Sequence, residues 1–191
     1  DQDEAKFRMI EYHKWKFKAK IFSPLAPLTV KRTPVLMTRV EYGFLGSYNK
    51  YKKSPFETFY MGGDGMSGYS STYATETIGL RGYENGSIAG NGGYNSYGYA
   101  YSRLSMELRY PFLLEPSSTI YGLVFVEAGN AWRDLKDFNP FQLKRSAGVG
   151  VRIFLPMIGL MGIDWAYGFD RPDGYDQRGG SNFHFIIGQE F

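Results

Sequence analysis

With 191 residues the chain is long enough for one domain with a substantial core, or for one barrel, and 16 Tyr, 15 Phe and 24 Gly point to an all-β class rich in turns. The absence of Cys excludes a disulfide framework and thiolate metal sites. A net charge of +3 without a basic run argues against nucleic acid, and a mean hydropathy of −0.35 with no apolar run of about eighteen residues excludes a transmembrane helix but leaves transmembrane strands open.

The first residues, Asp1 to Lys6, carry no signal-peptide pattern. Residues 11–23 are the first predicted strand, with Trp15, Phe17, Ala19 and Ile21 on one face and Lys14, Lys16, Lys18 and Lys20 on the other; Pro24 and Pro27 end it. Residues 34–47 alternate again, with Leu36, Thr38, Val40, Tyr42 and Phe44 opposite Arg39, Glu41 and Gly43. A polar turn over 49–55 and a short aromatic strand over 56–61 precede a long insert, 61–98, rich in Gly, Ser, Tyr and Asn. A loop of roughly forty residues in a compact β-protein is usually functional or disordered. Leu80-Arg81-Gly82-Tyr83 lies in this one, with a Gly that lets the backbone turn tightly directly after the Arg.

Residues 99–110 alternate most cleanly, with Leu104, Met106, Leu108 and Tyr110 opposite Arg103, Ser105, Glu107 and Arg109. Residues 111–118 read as a turn. The strand over 119–132 is strongly apolar but has Glu127 embedded in it, and a loop over 134–140 follows. Residues 142–155 and 159–169 form two more alternating strands around a tight Pro156-Met157-Ile158 turn. The second of these sets Met161, Ile163, Trp165 and Tyr167 against Gly162, Asp164, Ala166 and Gly168. A charged, Gly-rich loop over 170–181 leads to a last strand over 182–191, with Phe183, Phe185, Ile187 and Phe191 on one face.

The pattern predicts about eight antiparallel strands, most of them about ten residues long, which is the bilayer-spanning length rather than the ordinary five or six. Bulky aromatics share one face, while Gly and charges share the other. Greasy residues outside and small or charged ones inside fit a membrane barrel better than the alternative, a soluble β-sandwich. Counted back from the C-terminus, long and short connections alternate, as in outer-membrane barrels. This predicts that the 61–98 loop is extracellular and folds back into the lumen.

Enzymatic chemistry finds little support. Gly63-Asp64-Gly65-Met66-Ser67-Gly68 matches a dinucleotide fingerprint by letters, but no helix pattern follows it. Ser67 lacks the surroundings of a nucleophile elbow. His13 and His184 have no triad partners and read as girdle or lumen residues. Asp170, Asp173 and Asp176 lack EF-hand spacing. No catalytic residue, metal site or cofactor is predicted. The charges that stand out are Arg81, Glu107 and Glu127. A carboxylate at 127 facing lipid would cost a few kcal/mol, so it must face water or a cation. Sequential strands pair more often than not, which brings Glu107 and Glu127 near each other, and two carboxylates suit the planar fork of an Arg. The alternative is three unrelated lumen charges.

Several stretches together resemble the C-terminal half of the barrel domain of the BamA family of outer-membrane protein assembly factors (bacterial surface antigen superfamily). They are the Leu80-Arg81-Gly82-Tyr83 loop motif, Met106-Glu107-Leu108-Arg109-Tyr110-Pro111, Phe125-Val126-Glu127-Ala128-Gly129-Asn130-Ala131-Trp132 and Gly162-Ile163-Asp164-Trp165-Ala166-Tyr167-Gly168. The final strand, Phe183-His184-Phe185-Ile186-Ile187-Gly188-Gln189-Glu190-Phe191, is the last. The terminal signal is shared by many outer-membrane barrels, whereas the loop motif is more specific.

The resemblance implies that Arg81 packs in the lumen against Glu107 and Glu127, though the family often has Asp at the second place. The insert over 64–77 looks longer than in the family. A sixteen-stranded barrel preceded by periplasmic POTRA domains is implied for the family, so 1–191 reads as a single barrel region equal to half of one, with the other half and the POTRA domains absent. The implied function is non-enzymatic insertion of β-barrel clients into the bacterial outer membrane. A seam at the last strand, residues 186–191 with Gly188 as its weak point, would offer an edge to the client beside a thinned bilayer. Outer-membrane lipids, client barrels and accessory assembly lipoproteins are the implied partners. The alternatives are a two-partner secretion pore and the barrel anchor of a patatin-like phospholipase.

Overall fold

The computed structural model describes residues 11–27, 29–48, 53–65, 76–88 and 97–188. Residues 66–75 of the insert, Ser67 included, and Phe191 of the terminal signal lie outside them. In chain order the strands are β1 (Tyr12–Pro24), β2 (Val35–Ser47), β3 (Phe59–Met61), β4 (Glu76–Ile78), β5 (Ala100–Glu115), β6 (Ser118–Trp132), β7 (Lys144–Leu155), β8 (Gly159–Gly168) and β9 (Gly180–Ile187). Seven of them form one antiparallel sheet in the order β1-β2-β5-β6-β7-β8-β9, with β1 and β9 at its edges.

The faces of this sheet are inverted relative to those of a soluble protein. Arg39, Glu41, Arg103, Ser105, Glu107, Glu127, Arg152, Asp164 and His184 are buried. The other face exposes Trp15 (69%), Phe17, Met106, Leu108, Val124, Val126, Val149, Val151, Ile163, Trp165, Phe183 and Phe185. Alternation in strands of 10 to 16 residues for β5 to β8 produces this division directly. Among the described residues no second sheet covers the apolar face, so the β-sandwich alternative is not met.

The wall has seven strands, in keeping with the expected about eight; the aromatic segment at 56–61 does not join it. Its Phe59–Met61 part pairs in parallel with β4, a strand inside the insert that no sequence pattern announced. Residues 111–118 are not a turn. Here β5 continues to Glu115, a register shift between Pro111 and Leu113 leaves Phe112 without a partner directly after the proline, and the reversal occurs at 116–117. The last strand begins at Gly180, and Gly188 follows it at φ +72° with its N–H donated to the Leu160 carbonyl at 2.7 Å.

The described parts of the insert lie on the inner face of the wall. Phe59 bridges to Gly98 and Gly63 to Leu80. Phe59, Met61, Ile78, Leu80 and Ile88 bury their side chains with Leu45, Tyr101 and Ala131 of the wall. At one edge Lys14 of β1 meets Glu57 and Glu76 at 2.7 and 2.9 Å, and Lys16 meets Glu76 at 2.5 Å. The loop is therefore held by its own apolar core and by ion pairs to the wall.

Candidate functional site

Each residue of the Leu80–Tyr83 motif meets a different part of the wall. Leu80 enters the apolar cluster of the insert, and its backbone pairs with Gly63 in both directions at 3.1 Å. This fixes the chain so that the next side chain points at the wall. The Arg81 guanidinium is fully buried (0% exposed) and stacks over the Phe125 ring, 3.5 Å from its centroid. Its Nη2 donates to Glu107 Oε1 at 2.6 Å and Glu127 Oε1 at 2.7 Å, and its Nη1 to Asp164 Oδ2 at 3.0 Å. The Arg81 backbone N–H donates to Glu127 Oε2 at 3.0 Å, so one carboxylate holds both the main chain and the side chain.

Gly82 follows at φ +87°, where a Cβ would stand 2.9 Å from both the Gly168 nitrogen and the Ser146 Cβ. A side chain is excluded there by conformation and by space. The freed backbone presses onto the wall, and the Gly82 N–H donates to His184 Nε2 at 3.0 Å. The Tyr83 hydroxyl donates to the Arg145 carbonyl at 2.6 Å, and burial pushes its phenol up to about 12.

The wall surrounds these contacts with a charge lattice. Glu127 Oε1 also accepts from Arg103 Nη2 at 2.9 Å and Ser105 Oγ at 3.0 Å. Glu107 Oε2 accepts from Arg109 Nε and Nη2 at 2.9 and 2.7 Å. Asp164 receives both Arg152 nitrogens, at 2.5 and 2.7 Å. Buried charges persist when they are paired and their remaining lone pairs are satisfied, and these three carboxylates meet that condition. Small residues clear the space. A Cβ at Gly148 would lie 2.3 Å from the Trp165 carbonyl oxygen and 2.5 Å from Phe125 Cζ. This explains the abundance of Gly on the polar face of β7 and β8.

The structure brings Arg81 together with Glu107 and Glu127 and leaves Phe183, Phe185 and Ile187 on the edge strand, and Gly188 directly after it, away from the cluster. Phe183, Phe185 and Ile187 point outward and are exposed. Asp164 and His184 complete the site, and sequence reasoning did not assign them to it. The available signal was their position: both lie on the inward face, directly opposite each other in the β8–β9 register. Among the described residues no cluster of three metal-ligating side chains occurs. The arrangement offers static charge pairing and a hydrogen-bonded anchor.

No curated protein matches the chain. Among solved structures, BamA from Haemophilus ducreyi lacking POTRA domains 1–3 matches with a TM-score of 0.63 and 20% identity, over 92% of this chain and 35% of that one. The chain thus spans about a third of the length of that relative, and the likeness is one of fold: part of the BamA barrel. The model of the Omp85 superfamily domain matches residues 7–191. Omp85 barrels lie in the outer membrane, and members assemble proteins there or translocate them across it. Carrying that domain over nearly its whole length, this chain belongs to the Omp85 superfamily.

Proposed function

We propose that the chain is the seam-bearing C-terminal half of a BamA-like barrel that inserts β-barrel proteins into the bacterial outer membrane without covalent chemistry. One observation carries this reading: a loop anchored by Arg81 in the wall reaches, through Gly82, to β9, an edge strand of the sheet among the described residues. An edge strand with unpaired N–H and C=O groups cannot rest in lipid and templates a further strand. A client strand adding to β9 would satisfy that edge by β-augmentation. Gly188, left-handed and with open space where a Cβ would stand, ends the strand where the edge must yield. The exposed Phe183, Phe185 and Ile187 face outer-membrane lipid, the 61–98 loop enters from the extracellular side, and accessory lipoproteins serve the whole assembly.

The test uses the full-length protein in lipid vesicles with an unfolded β-barrel client. Protease-protected client should accumulate faster than in empty vesicles, and the gain should fall for Arg81→Ala. Transport of a secreted substrate with a large steady conductance, and no acceleration of client folding, would overturn the reading in favour of translocation.

A further inference from the structure

We infer that His184 is a positioning residue that latches the loop motif to the terminal strand, and that the latch holds only while the imidazole is neutral. Arg81 fixes the loop to β5, β6 and β8, and Tyr83 fixes it to the β7 backbone. Gly82 to His184 carries the loop one strand further, to β9. Within the sheet β9 is held along one side, by β8. A tie from inside the barrel therefore bears on the strand whose partnering the proposed function requires to change. The inference extends that function, since the latch would set how readily β9 presents its free edge.

The chemistry is directional. A backbone N–H can only donate, so Nε2 must present its lone pair and the ring proton must reside on Nδ1. Protonation puts a hydrogen on Nε2, turns the acceptor into a donor, and leaves the Gly82 N–H without its partner. Charged groups face the ring from several sides: Asp164 opposite it on β8, Glu127 on β6, and Asp64 and Arg81 from the loop. Asp164 already accepts from Arg81 and Arg152, and Glu127 from Arg81, Arg103 and Ser105. Gly82 itself cannot retreat far, because its backbone is already packed against Gly168 and Ser146.

The experiment is amide hydrogen exchange of β9 in the full-length protein in lipid vesicles, without client, from about pH 8 to about pH 5, where histidine titrates. After correction for the intrinsic pH dependence of exchange, wild-type β9 should lose protection about fivefold on acidification, the scale of one hydrogen bond. His184→Gln, whose amide oxygen accepts at every pH in that range, should stay protected throughout. His184→Phe, with no acceptor, should be deprotected throughout. A pH-independent wild type, or a His184→Gln variant that follows the wild-type curve, overturns the latch. Because no client is present, this outcome is separate from failure of the assembly reading, which the client-folding assay detects on its own.

Discussion

Glu127 holds Arg81 at two points, taking the guanidinium on Oε1 at 2.7 Å and the backbone N–H on Oε2 at 3.0 Å. An Ala at 127 strips the loop of a charge partner and a main-chain partner together. Breaking a buried pair from one side costs about 3–5 kcal/mol. Arg81→Ala and Glu127→Ala should each lower stability on that scale, and the double variant should cost little more than either alone. Arg81→Lys should behave like the Ala variant, since an ammonium lacks the fork that spans three carboxylates. Heat-resistant migration on unboiled gels and urea unfolding in lipid measure all four. Fully additive losses would show that the two residues act apart.

Much of this site was legible in the sequence because β-strand alternation is strict. Once Val124 and Val126 face outward, Glu127 must face inward, and the same reasoning places Glu107. The third acid, Asp164, sits two strands beyond Glu127 in the sheet. Its contact depends on how far the loop reaches across the wall, which no periodicity encodes. His184 escaped for the same reason, being met by a backbone N–H rather than by a complementary side chain. The β3–β4 pair is invisible in the sequence because 3-residue strands show no period, and Pro111 reads as the start of a turn because a bulge restores the strand only in three dimensions.

The stack of Arg81 on Phe125 depends on an empty position at Gly148. A methyl there meets a carbonyl oxygen of β8 as well as the ring, and backbone cannot swing aside as a side chain can. Gly148→Ala should cost about 1–3 kcal/mol by overpacking. Adding Phe125→Leu should recover part of that loss but not all of it, because the clash with the Trp165 carbonyl remains. Unfolding midpoints of the two single variants and the double variant decide this, and full recovery would show that the ring alone is displaced.

The apolar face is expected to respond to charge by depth. Val126 lies near the middle of β6 and is exposed, whereas Phe112 lies near the end of β5. Arg at a bilayer midplane costs about 2–4 kcal/mol and near an interface about 0–1. Val126→Arg should therefore destabilise the protein in lipid vesicles far more than Phe112→Arg. Equal, small losses would mean that this face does not meet lipid.

Alkaline pH should release the loop through Tyr83. Burial raises its phenol from 10.0 to about 12, and its hydroxyl donates to the Arg145 carbonyl, a bond that a phenolate cannot make. The unfolded chain loses this proton first, so between pH 10 and about 12 the folded state binds more protons and its stability falls as pH rises. Below pH 10 the contribution is fully present. Tyr83→Phe removes the hydrogen bond and the titration together, so it should be less stable than wild type near neutrality by about 0.5–1.5 kcal/mol. That gap should narrow as pH climbs through the window, because only wild type has a proton at residue 83 to lose. Comparing the two proteins cancels the other tyrosines, which titrate in both. A gap that stayed constant to pH 12 would place the Tyr83 hydroxyl in water rather than against β7.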